Sequence, residues 1–204
     1  DTDLDTDPAA PDTVDVNMTS TTETAVELVT LTETGNSTSV FAGSIDLQNA
    51  APVPDDGLLQ VSNGDTITAE YFDADDGLGG SGPTTDTAIV DDTPPLISGV
   101  AATNLRFNRA TVVWTTDEAS DSVVNYDTAT PPGSVRSDAR RVVSHSLTLS
   151  SLTENTTYFF SVESTDEAGN TALDDNSSAY YSFTTPAKPP TAPPDDEWPT
   201  FHNN

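Results

Sequence analysis

The run Ala110-Thr111-Val112-Val113-Trp114-Thr115-Thr116-Asp117-Glu118, followed after three residues by Ser122-Val123-Val124-Asn125-Tyr126, decides the fold. Apolar and β-branched residues dominate both pieces, and acidic and small polar residues separate them. That is the pattern of two short strands joined by a turn. Outward from it, further short runs of the same kind lie near 97–103, 145–151, 157–164 and 179–185, with a weaker one around 134–143. Seven short strands in about 90 residues is the count of an immunoglobulin-like sandwich. No stretch holds a helical period over three turns, and the helix formers Lys, Arg and Met are scarce.

The first half repeats the theme. Val14, Val16 and Met18 alternate, Val26 and Leu28 open a second run, and Ile67, Ala69 and Tyr71 alternate in another. Further strands are expected at 38–47, 58–61 and 86–90. Asn63-Gly64, between Val61 and Ile67, predicts a type I′ hairpin turn. Asp91-Asp92-Thr93-Pro94-Pro95 marks a boundary, because consecutive prolines cannot donate to a strand ladder. After Thr185 a Pro-rich stretch reads as a stiff polyproline spacer. The expected architecture is all-β: two tandem antiparallel β-sandwich domains, 1–93 and 94–185, followed by a Pro-rich linker and tail, 186–204.

Composition narrows the function. Among 204 residues there are 34 Asp and Glu against 6 Lys and Arg, for a net charge of −28. A surface so acidic repels phosphate backbones and anionic headgroups, so neither nucleic-acid binding nor membrane insertion is expected. The absence of cysteine removes disulfides, thiol nucleophiles and zinc–thiolate sites. Asp-rich, Lys-poor surfaces suit high salt or abundant Ca²⁺, which favours an extracellular or cell-surface setting.

The quoted run, with His145-Ser146-Leu147-Thr148-Leu149, the stretch from Leu152 to Tyr158 and Tyr181-Ser182-Phe183-Thr184-Thr185, resembles a fibronectin type III module. The resemblance is to the variant that precedes the catalytic domain of purple acid phosphatases. It implies that Trp114 is a core aromatic of the second strand and that Tyr158 forms a tyrosine corner. It brings no activity, since the metal ligands of those phosphatases lie in another domain. Residues 1–93 resemble a β-sandwich repeat of large prokaryotic surface proteins, on the phrases Thr30–Gly35, Val40–Ile45 and Asn63–Tyr71. Such repeats usually begin with one more strand, supplied either by chain preceding Asp1 or by a neighbouring copy. Glu197-Trp198-Pro199-Thr200-Phe201-His202-Asn203-Asn204 resembles the opening of a quinoprotein-type β-propeller.

Ca²⁺ takes six to eight oxygen ligands, so alternating Asp in loops points to it. Asp1, Asp3, Asp5 and Asp7 form one candidate site, and Asp73, Asp75 and Asp76 before Gly77 form another. The expected sandwich topology brings the loops holding Asp117 and Asp166 toward Asp91 and Asp92, a third candidate. Each reading competes with a solvated acidic turn, which Asp also favours. No nucleophile elbow or phosphate-cradling glycine loop occurs, and His145 reads as a surface or partly packed residue. Lys188, the one lysine, lies in the linker, which excludes lysine-dependent isopeptide crosslinks inside the sandwiches. The chain reads as a non-enzymatic stalk or filament-forming surface protein whose partners are other copies of itself or other surface proteins. Accessory modules of a larger secreted enzyme, or glycan binding through Tyr71, Phe72, Tyr180 and Tyr181, are the alternatives.

Overall fold

The computed structural model describes residues 4–74 and 80–190. The chain divides into two units, Asp1–Asp92 and Thr93–Asn204. Both are β throughout. The propeller-like tail, Asp1, Asp3, Asp75 and Asp76 lie outside the described residues.

In the first unit a five-stranded antiparallel sheet is built from β1 (Thr13–Ser20), β2 (Glu27–Glu33), β3 (Phe41–Ala42), β6 (Thr66–Asp73) and β7 (Gly82–Ile89), in the order β3-β2-β1-β6-β7. A short parallel pair, β4 (Asp46–Gln48) and β5 (Leu58–Gln60), completes it. Register places Val14 opposite Leu31, Val16 opposite Val29 and Met18 opposite Glu27. These residues therefore share one face, since side chains alternate along a strand. β5 lies over that face, where Ser20 Oγ donates to the Gln60 carbonyl at 2.5 Å. Val16, Leu59 and Val61 are its buried apolar residues. Gly43 approaches β2 closely: a Cβ there would meet Leu31 Cδ2 at 2.6 Å, so the leucine side chain would have to shift.

The expected Asn63-Gly64 hairpin does not form. β5 and β6 pair with other strands, and Gly64 has φ +82° while Asn63 stays out of the left-handed region that a type I′ turn demands of both residues. The turn instead carries the chain between layers. It is closed by Asp65 N donating to the Ser62 carbonyl at 3.0 Å and by the Asp65 carboxylate, which accepts from Ser62 N at 2.8 Å and Thr22 N at 3.2 Å.

The second unit has β8 (Ser98–Arg106), β9 (Arg109–Asp127), β10 (Ser134–Ser150), β11 (Thr157–Thr165), β12 (Thr171–Asp174) and β13 (Tyr181–Thr184). β9 and β10 run on between layers. The first part of β9 pairs with β8 and with the end of β10; its second part pairs with β11 and the start of β10. Register shifts between Asp138 and Ser144 let β10 bend, as bulges do. The curled sheet encloses Ala110, Val112, Trp114, Val124, Leu147, Leu149, Phe160, Val162 and Phe183. Tyr158 forms the expected corner: its hydroxyl accepts from Thr153 N–H at 3.0 Å, beside buried Leu152.

Candidate cation-binding site

The first unit has a charge imbalance that its packing makes acute. Residues 1–92 hold 20 of the 34 acidic side chains and no Lys, Arg or His. Among the described residues four of those acids are nonetheless buried: Glu23, Glu27, Glu33 and Asp65. Burying a carboxylate without hydrogen bonds or a counter-charge is expensive, so each needs compensation.

Glu33 shows how it is obtained. It ends β2 on the inward register shared with Glu27, Val29 and Leu31, so its side chain points under the sheet. Oε1 accepts from Ser39 N–H at 2.7 Å, and Oε2 accepts from Asp12 N–H at 3.3 Å. Burial alone would raise the Glu33 carboxyl, but these amides and the Thr38 hydroxyl outweigh it and hold it below the usual carboxylate range. Asp12 accepts from Asp7 N–H at 2.9 Å, Thr6 Oγ1 at 2.8 Å and Thr6 N–H at 2.7 Å, and these bonds lower its pKa as well. Oxygens of Asp5, Asp12 and Glu33 lie within 4.8 Å of one another. Three carboxylates at that spacing offer the start of an oxygen-ligand set for Ca²⁺.

The arrangement also fastens the start of the chain. Asp12 holds Thr6 and Asp7, and Leu4 lines an apolar hollow of about 170 Å³ with Val14, Val16, Leu31, Phe41 and Tyr71. Asp5 thus joins a cluster, while Asp7 is exposed and accepts from Ala9 N–H at 2.9 Å in a local turn. Asp12 and Glu33 are absent from the sequence-based set. Their signal was available for Glu33, a charged residue in phase with Glu27, Val29 and Leu31, but Asp12 is placed only by the fold.

The other predicted acids sit as follows. Asp73 is half-buried at the end of β6, paired across to Gly82. Asp91 is half-buried; Asp92 is exposed, its N–H donating to Asn63 Oδ1 at 3.1 Å. Asp117 accepts from Leu96 N–H at 2.7 Å. Asp166 is 1% exposed in the β11–β12 turn. Its Oδ1 accepts from Gly169 N–H and Asn170 N–H, and its Oδ2 from Asn170 Nδ2.

His145 is packed more deeply than the expected surface or partly packed position. It is 3% exposed, stacked on Trp114 at 4.8 Å between ring centroids and 4° between planes. Thr116 Oγ1 spends its proton on the Glu118 carbonyl at 2.6 Å, so His145 Nε2–H donates to Thr116 Oγ1 at 2.9 Å and Nδ1 accepts from Ser122 Oγ at 2.7 Å. A neutral ring, with Nδ1 as acceptor, fits this arrangement. Burial pushes its pKa down, partly opposed by Asp121. A folded pKa below the unfolded value means the unfolded chain binds the proton better. Stability of the second unit is then full above about pH 6.5, the unfolded value, and falls as pH drops through that value toward the folded one. An NMR titration should give a His145 midpoint below that of a histidine in a short peptide, with stability declining as pH falls below about 6.5. A midpoint at or above the peptide value would refute the buried neutral ring.

No protein-family model and no curated protein matches the chain. Among solved structures, it is similar to the FN1–FN3 domains of chicken CNTN1, with a TM-score of 0.42 and 13% identity, covering 85% of this chain and 56% of that one. It is also similar to a myokine structure, with a TM-score of 0.39 and 21% identity, covering 47% of this chain and all of that one. The present chain thus spans little more than half of the CNTN1 structure's length. The second unit is fibronectin type III-like in its own right, by strand order, enclosed Trp114 and the Tyr158 corner. Among the described residues no helix is long and apolar enough to cross a membrane.

Proposed function

We propose that the chain is a non-enzymatic structural or adhesive element of an extracellular or cell-surface assembly, and that Ca²⁺ at Asp5, Asp12 and Glu33 tightens its first unit. The observation that carries the reading is the convergence of three carboxylates, one buried, in a unit with no cationic side chain of its own. A cation there would fasten the chain start over the apolar hollow, and a fastened sandwich transmits load better than a frayed one. The partners are other copies of the chain or other surface proteins, reached in solutions where salt or Ca²⁺ offsets the acidity.

Extracellular modules bind Ca²⁺ with dissociation constants of about 0.1–1 mM. At about 10 mM Ca²⁺ the linkage relation then gives roughly 1.4–2.7 kcal/mol of added stability. Asp12→Asn and Glu33→Gln should each remove most of that increment while leaving the second unit's melting unchanged. If both variants keep the wild-type response to Ca²⁺, the site is misassigned.

A further inference from the structure

Charge is divided unequally along the chain. All six Lys and Arg lie between Arg106 and Lys188, and three of the five arginines, Arg136, Arg140 and Arg141, fall within six residues of β10. β10 is an edge strand: among the described residues it pairs with β9 alone. From Ser134 to Ser144 it is exposed at every position but Asp138, and Val135 and Val143 are 62% and 49% exposed. Arg140 pairs with Asp138 at 2.6 Å, and Arg141 donates to the Thr165 carbonyl. Arg136 enters no ion pair among the described residues. Ser134 to Asp138 keep a regular register with Tyr126 to Ser122, ahead of the bulge, so their outer edge offers a straight row of unpaired ladder groups.

β7 is the matching edge of the first unit. Among the described residues it pairs with β6 alone, in unbroken register from Gly82 to Ile89, and every residue from Pro83 to Ile89 is exposed. Its one charge is Asp86. Native edges are usually blunted by Lys, by a bulge or by a covering loop, and a long, straight, exposed strand is instead a template for pairing. On β7 only Pro83 blunts the edge, and it stands at the strand's beginning. Thr84, Thr85, Thr87 and Ile89 are β-branched and suit a strand paired on both sides.

We infer that the β7 edge of one copy adds to the β10 edge of a second copy, with Asp86 across from Arg136, so that copies of the chain join head to tail. The inference rests on the proposal that copies of the chain are its partners, and it names the surface they use. Charge selects the pairing. Residues 1–92 carry 20 acids and no cation, so two first units repel, and β7 against β7 would bring Asp86 toward its own counterpart. β10 against β10 would bring two arginine clusters together. β7 against β10 is the combination that sets opposite charges across the strands, which strengthens a ladder where like charges weaken it. The two patches differ, so the contact is heterologous. Each copy that joins still offers one free edge of each kind, and growth leads to a ring or an open filament and not to a closed dimer.

The test is sedimentation velocity of the full 204-residue chain over a concentration series. The wild type should show a weight-average mass that climbs with concentration past twice that of one chain. Arg136→Glu and Asp86→Arg should each weaken this association about tenfold or more, and the two reversals combined in one chain should restore it. Hydrogen exchange of the wild type supplies a readout that needs no substitution. Outward-facing amides within 84–88 and within 134–138 should exchange more slowly as concentration rises, because pairing of the two edges protects both. Association that survives both reversals overturns the edge pairing and keeps copies of the chain as partners. A wild type that stays monomeric at every concentration overturns both. Protection of the β10 amides by a polyanionic glycan, in a chain that stays monomeric, would likewise overturn the pairing and give that edge another occupant.

Discussion

Trp114→Ala is expected to remove about 3–5 kcal/mol from the second unit, the usual cost of truncating a buried tryptophan. Three losses coincide there. The indole is 2% exposed and belongs to the same buried cluster as Val112, Val124 and Phe160, so its removal leaves a cavity in a close-packed core that cannot collapse freely. Its Nε1–H donates to Ser164 Oγ at 3.0 Å, and Ser164 is itself fully buried. Its face supports the neutral His145 ring. Domains of this size are stable by only about 5–15 kcal/mol, so a large share of the fold's margin disappears. The measurement is a denaturant melt of the full chain followed at Val124 and Val162 amides. A loss below about 1 kcal/mol would mean that Trp114 is not the centre of the core.

Asp166→Ala is the second large effect. Asp166 builds the turn Asp166-Glu167-Ala168-Gly169-Asn170, in which Asp166 N–H donates to the Asn170 carbonyl at 3.0 Å and Gly169 adopts φ +98°. Its carboxylate takes three donors, and removing it leaves the Gly169 and Asn170 amides without the acceptor that shapes the turn. Those bonds outweigh burial and hold its pKa below the ordinary value, so their contribution is present above about pH 4 and fades as pH falls through the depressed one. Losing hydrogen bonds to a charged group costs about 1.5–3 kcal/mol, and that loss should appear already in EDTA. A variant as stable as wild type in EDTA, but weaker in Ca²⁺, would make Asp166 a cation ligand and not a turn builder.

The contrast between these two residues and the first unit's acids explains what could be read from the sequence. Trp114 and Tyr158 belong to local patterns: strand alternation for one, a fixed distance from Leu152 for the other. Such patterns survive without knowledge of the partner strand. The Asn63-Gly64 turn did not survive, because its conformation depends on Asp65 and on Thr22, forty-odd residues away, and on which strands pair. The depth of His145 was missed for the same reason: Thr116 and Ser122, which satisfy its two nitrogens, come from another strand. Of the alternating aspartates at the described positions, Asp5 joins Asp12 and Glu33, whereas Asp7 sits in a local turn. Glu23 and Glu27 stand in an unremarkable run of Thr and Glu, and only β5, arriving from more than thirty residues away, makes them interior charges.

Ca²⁺ should act on the first unit as a ligand and not merely as salt. The decisive measurement is the melting of that unit within the full chain, in EDTA, in about 10 mM CaCl₂, and in NaCl of matched ionic strength. Specific binding at the affinities of extracellular modules raises the midpoint by roughly 6–20 °C over the NaCl value. A midpoint that rises equally in both salts would show that screening alone relieves the carboxylates, and would contradict the Ca²⁺-tightened module.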